Sequence, residues 1–95
     1  MAFAKKIVLH SRSGYRPELD NLVEEFKRDG VMFVGVVGED ASRVEDIIDE
    51  LCVGDGSNPY EMLTSSHAGE SLDQAVEFAR SLDLEYAGEI QIVEF

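Results

Sequence analysis

The sequence predicts an α/β fold: a three-layer α/β/α sandwich, β-α-β-α-β-α-β, around a four-stranded, mostly parallel sheet. Three observations carry that prediction. Short apolar runs alternate with segments whose apolar residues recur every three or four positions, as strands alternate with amphipathic helices. The breaks between them hold Gly, Pro, Asn, Asp and Ser, the residues that punctuate regular structure. The runs at 7–9 and 31–37 are apolar throughout rather than alternating, which suits strands covered on both faces.

The elements follow in order. Lys6 to His10, around Ile7-Val8-Leu9, is the first strand. Pro17 opens a helix in the first turn, where its missing N–H leaves nothing unpaired. Leu19, Leu22, Val23 and Phe26 make the stripe of that helix, and Gly30 ends it. Val31 to Val37 is the strongest strand signal, with Gly35 marking a close approach by a neighbouring group. Ser42 and Glu45 have the spacing of a capping box ahead of Val44, Ile47, Ile48, Leu51 and Cys52, and Gly54 stops this second helix. Asp55 to Pro59 reads as a loop, and Tyr60 to Thr64 as a weaker strand. Ser71 and Gln74 form a second capping box before Leu72, Ala75, Val76, Ala79 and Leu82, a helix that ends near Asp83. Glu89 to Phe95 alternates apolar and polar residues, a half-exposed edge strand.

Strands joined through helices imply right-handed crossovers and a parallel sheet. By analogy with flavodoxin-like sheets the favoured order is 2-1-3-4, with the last strand at an edge and its direction open. That order leaves the apolar strand 31–37 at the other edge, a liability in a long hydrophobic strand. Either the order differs or that edge pairs with a second copy of the chain, giving a homodimer.

Residues 1–95 are expected to form one domain, since a chain of this length has room for one core. The apolar run at the N-terminus is too brief for a signal peptide, so the cytoplasm is the expected location. Cys52 is the single cysteine, which rules out an internal disulfide. Its place on an apolar helix face beside Asp49, Glu50 and Asp55 predicts a buried, unreactive thiol.

The net charge of −12 is unevenly spread: six basic and five acidic residues in 1–30, two basic and fifteen acidic in 31–95, so +1 and −13. Such a chain repels phosphate backbones and anionic membrane surfaces, which excludes nucleic acid and membrane as partners. It attracts basic partners and cations.

Ligands of open parallel sheets sit beyond the carboxyl ends of the strands. Three loops qualify: His10 to Arg16, Gly38 to Asp40 and Thr64 to Gly69. These loops and the acidic face of the second helix support three readings. Arg12, Ser13, Gly14 and Arg16, ahead of a helix N-terminus, suit a small anion, although the Walker and dinucleotide glycine spacings are absent. His10, Asp40 and His67 are candidates for a metal or acid–base site, with a histidine polarised by Asp40 acting toward Ser65 or Ser66. Asp40 equally suits a helix N-cap, and His10 a strand end. The third reading is a protein-interaction domain whose acidic face (Glu45, Asp46, Asp49 and Glu50, continuing through Asp55 and Glu61) engages a basic partner. No residue pattern calls for a cofactor. A non-catalytic binding or regulatory domain, acting through protein or small-anion contacts at the C-terminal ends of the strands, is therefore the leading expectation, and a small metal-dependent or acid–base enzyme using His10, Asp40 and His67 the alternative.

The stretch Val44 to Cys52, followed by Glu61 to His67, then Gly69 to Leu72 with Ala75, Phe78 and Ala79, resembles a family of small bacterial α/β domains of unknown function. The resemblance covers roughly residues 31–80. It implies a bacterial cytoplasmic protein, carries no activity over, and makes His67 and the hydroxyls before it the first positions of interest. Other α/β families fit poorly. A response-regulator receiver needs carboxylates after the first strand and a late lysine, and no lysine follows Lys27. A thioredoxin-like enzyme needs a second cysteine, and a low-molecular-weight phosphatase needs one where this chain has His10, Ser11 and Ser13.

Overall fold

A computed structural model describes residues 3–83 and 86–95. Seven elements alternate as the apolar periodicity predicts: β1 (Lys6–Ser11), α1 (Glu18–Asp29), β2 (Phe33–Gly38), α2 (Ala41–Val53), β3 (Leu63–Ser66), α3 (Leu72–Ser81) and β4 (Ile90–Glu94). The four strands form one sheet in the order β3-β2-β1-β4, and every pair in it is parallel.

This order corrects the expected 2-1-3-4. β2 lies between β3 and β1, with Phe33, Val34, Val36 and Val37 buried. The edge positions fall to the short, hydroxyl-rich β3 and to β4, as expected of the last strand. The reason is the edge: a long apolar strand with an unpaired edge invites pairing with other chains, and a central position gives it a neighbour on each side. Strand 31–37 accordingly offers no free edge, so a second copy has no place to pair with it there.

The connections explain the layers. From β1 through α1 to β2, and through α2 to β3, the chain steps in one direction, so right-handed crossovers put both helices on one face. α3 carries the chain back past β2 and β1 to β4 and lies on the other face. The core is split to match. Ile7, Leu9, Val34 and Val36 meet Leu19, Val23 and Phe26 of α1 and Val44, Ile48 and Cys52 of α2. On the other side Val8, Phe33 and Val37 meet Ala75 and Ala79 of α3. Each large side chain fully buried in these layers contributes about 1.5–3 kcal/mol of transfer free energy.

Local signals mostly survive. Gly30 caps α1 with a left-handed φ of 78°, and Gly54 follows α2. Ser71 and Gln74 form both halves of their capping box, at 3.1 and 2.8 Å. A Cβ at Gly35 would stand 2.9 Å from Phe33 Cζ and 3.3 Å from Ser65 Oγ, the close approach its place in a strand predicts.

Two expectations are corrected. Ser42 and Glu45 form no capping box, because α2 begins at Ala41 and both side chains turn toward β3: Ser42 to Ser66 and Glu45 to Thr64. β3 begins three residues later than the expected Tyr60 and runs on to Ser66. Leu63 pairs with Phe33, and that register draws Thr64, Ser65 and Ser66 into the ladder in spite of their polarity.

One buried cation has no signature in the sequence. Lys6 is 3% exposed, and its ammonium donates to the carbonyls of Ala79 and Leu82 at 2.7 and 3.3 Å. It thereby closes the C-terminal end of α3, where a positive charge is favoured. No helix among the described residues is long and apolar enough to cross a membrane.

Candidate functional site

In a sheet ordered 3-2-1-4 the direction of winding reverses between β1 and β4, and a ligand crevice is expected at the carboxyl ends of that pair. One carboxylate dominates this rim. Glu94 accepts a hydrogen bond from Arg12 Nη1 at 2.9 Å and lies 3.0 Å from His10 Nδ1. Those contacts, Arg12 first and His10 second, hold its carboxyl below the ordinary glutamate range. Arg16 places its guanidinium 4.2 Å above the centre of the Phe95 ring. Gly14 N–H donates to Ser11 Oγ at 3.2 Å, and Ser13 is exposed. The hollow beside them sets Glu18, Glu25 and Glu94 against the single cation Arg16, an excess of negative charge. Both arginines of the expected anion loop thus already face groups of this chain.

The three strand-end residues His10, Asp40 and His67 each have separate surroundings. His10 faces Glu94. Asp40 sits at the N-cap position of α2 with φ 55°, makes no capping bond, and lies 4.0 Å from Arg43 Nε. His67 follows β3, with its N–H on the Val36 carbonyl at 2.8 Å. His10 and His67 flank β2 at the same level, two strand spacings or roughly 10 Å apart along the backbone. Among the described residues no hydrogen bond or ion pair joins any two of the three.

His67 has acquired a different carboxylate. Its Nε2 lies 2.7 Å from Ser65 Oγ and its Nδ1 3.2 Å from Glu70 Oε1. The ring is buried, 5.0 Å from Phe78 and edge-on to it. A turn returning Glu70 N–H to the His67 carbonyl at 3.0 Å brings the two side chains together. The H-x-x-E spacing was the available signal for Glu70, and the expected partner Asp40 obscured it. Ser66, the other candidate hydroxyl, points to the opposite face and meets Ser42 Oγ at 2.9 Å.

The densest charge lies on α2 beside the β3 edge. Carboxylate oxygens of Glu45, Asp46 and Asp49 stand within 4.8 Å of one another. Thr64 Oγ1 lies 2.7 Å from Glu45 Oε2 and 2.6 Å from Asp49 Oδ1, tying the strand to the acid row. Asp46 and Glu50 are exposed on the same helix and line shallow hollows that run on to Val53. Cys52, on the inner side of α2, is a buried free thiol whose pKa is raised, first by burial and then by Asp49 and Glu24 against the lowering effect of Lys27. The burial is what its place on an apolar helix face predicts; of the acids beside it in sequence only Asp49 contributes to the shift.

A family model described as Domain of unknown function (DUF7684) matches residues 2–91. No curated protein and no solved structure matches the chain.

Proposed function

The chain belongs to this family of unknown function, and from that premise we propose that it is a non-catalytic recognition domain for a basic protein partner, bound through the acid row of α2. The observation that carries the reading is the crowding of Glu45, Asp46 and Asp49 within 4.8 Å beside an open sheet edge. Crowded carboxylates repel one another and destabilise the fold slightly, and an approaching lysine or arginine relieves that repulsion on binding. The overall charge of −12 steers such a partner in and keeps copies of the chain apart. We place the domain in the cytoplasm, where the free thiol of Cys52 stays reduced.

A direct test is fluorescence anisotropy with a labelled, flexible Lys-Gly 12-mer in low salt. Wild-type chain binds it, and a variant with Glu45, Asp46, Asp49 and Glu50 changed to the matching amides binds at least tenfold more weakly. A control with Glu18, Asp20, Glu24 and Glu25 neutralised retains binding. Equal loss in both variants would mean that only bulk charge acts.

A second reading is supported by one specific observation, the chain of contacts Ser65–His67–Glu70. Hydroxyl, imidazole and carboxylate stand in the order used for acyl transfer, in which the hydroxyl proton passes to the imidazole. Labelling of Ser65 by a fluorophosphonate, abolished in His67→Gln, would support hydrolysis, and an unlabelled Ser65 would remove it.

A further inference from the structure

We propose that the partner segment adds to the sheet as a fifth strand along β3, and that it carries lysine or arginine at alternate positions with apolar residues between. The inference rests on the reading of the α2 acid row as a site for a basic protein partner, and it specifies how that partner is held.

Three features meet at this edge. The first is the ladder. Leu63 N–H donates to Met32 and His67 N–H to Val36, at 3.0 and 2.8 Å, so residues 63, 65 and 67 spend their main-chain groups on β2. In a parallel ladder the alternate residues, Thr64 and Ser66, turn theirs the other way. β3 is an edge of the sheet, so these outward groups of Thr64 and Ser66 face no further strand among the described residues. The second is the face toward α2. There the Thr64 side chain contacts Glu45 and Asp49, so an added strand sets every other side chain beside these acids. The third is the opposite face. Leu63 and Phe78 are 37% and 42% exposed, a large share for side chains of their size; Leu63 pairs with Phe33 in the ladder, and the Phe78 ring lies 6.0 Å from that of Phe33. The remaining side chains of an added strand fall on this apolar patch.

Charge selects the occupant. A second copy would bring another −12 chain and another acid row to the same place, which like-charge repulsion opposes. An acidic or neutral strand gains nothing from Glu45 and Asp49. A strand that is basic on one face and apolar on the other satisfies the main chain, the carboxylates and the patch together, as in recognition by strand addition.

The test uses the full chain and the peptide Lys-Val-Lys-Val-Lys-Val-Lys, beside a peptide with the same side chains that is N-methylated at every residue. The methylated peptide keeps the charges and donates no main-chain hydrogen bond. The proposal expects the unmodified peptide to bind at least tenfold tighter. It also expects amide exchange at Thr64 and Ser66 to slow tenfold or more on binding, with Ile92 and Glu94, whose amides face outward from the β4 edge, unaffected. Equal binding of both peptides, with α2 resonances shifted and Thr64 and Ser66 unprotected, overturns strand addition and leaves basic-partner binding standing. Failure of both peptides and of the flexible Lys-Gly 12-mer overturns the two readings together. Concentration-dependent protection of Thr64 and Ser66 without peptide assigns the edge to a second copy and also overturns the proposal.

Discussion

The hydroxyl of Thr64 and the carboxylate of Asp49 meet at 2.6 Å, while the same hydroxyl lies 2.7 Å from Glu45. A threonine hydroxyl has one proton, so it donates to only one of the two acids. The other contact sets oxygen against oxygen inside a cluster of three carboxylates.

Glu45→Gln is therefore expected to stabilise the fold. The amide donates to Thr64 Oγ1 while Thr64 donates to Asp49, and one like charge disappears. The gain is about 0.5–1 kcal/mol, read as a higher urea midpoint at unchanged slope, and it shrinks in high salt. A lower midpoint would contradict the arrangement.

Lys6→Met is expected to destabilise. Methionine fills the stem volume and leaves the Ala79 and Leu82 carbonyls without their donor. Removing a buried charge recovers some desolvation free energy, but two helix-end carbonyls lose charge-assisted bonds, so the net cost is about 1–2 kcal/mol. Urea unfolding reads the total, and loss of exchange protection concentrated in α3 assigns it to the helix end.

Gly38→Ala is expected to be among the most damaging small substitutions. Gly38 has φ 105°, and a Cβ there would lie 2.3 Å from the Ser11 carbonyl oxygen, the acceptor of Glu39 N–H. Backbone strain and the clash together cost about 2–4 kcal/mol. Thermal unfolding checks it, and a change below about 0.5 kcal/mol would contradict the close approach of β2 to β1.

Glu94 gives a sign for pH. Its carboxyl titrates lower in the folded chain than in the unfolded one, through Arg12 and then His10. Its contribution is thus present above the unfolded value of about 4.3 and is lost as pH falls through the folded value. Wild type should exceed Glu94→Gln in melting temperature at pH 6, and the gap should close toward pH 3. The side chain is half exposed, so the gap is small.

The sequence made the local features legible because they depend on near neighbours. The stripe Leu19, Leu22, Val23 and Phe26, the Ser71–Gln74 box and the Gly30 stop all appear as read. Strand order depends on distant pairing, and the clue lay in β2 itself: a long apolar strand belongs inside a sheet. Ser65 and Ser66 read as loop because hydroxyls carry no apolar alternation, yet the ladder to β2 enlists them. Ser42 and Glu45 have the spacing of a cap, and tertiary partners on β3 override it. At the candidate site the acid row was readable as i, i+4 carboxylates on one helix. Its position beside a free sheet edge, and the pairing of His67 with Glu70 in place of Asp40, required the fold.

On the proposed function, α2 and the β3 edge receive the partner, and the β1–β4 rim does not. The measurement that bears on it most directly is a residue-by-residue amide shift map of the isotope-labelled chain titrated with the flexible Lys-Gly 12-mer. Saturable shifts centred on residues 45–50 and 63–66 are expected, with His10, Arg12 and Glu94 unmoved. Shifts centred on those three residues, or spread evenly over the acidic surface, would contradict it.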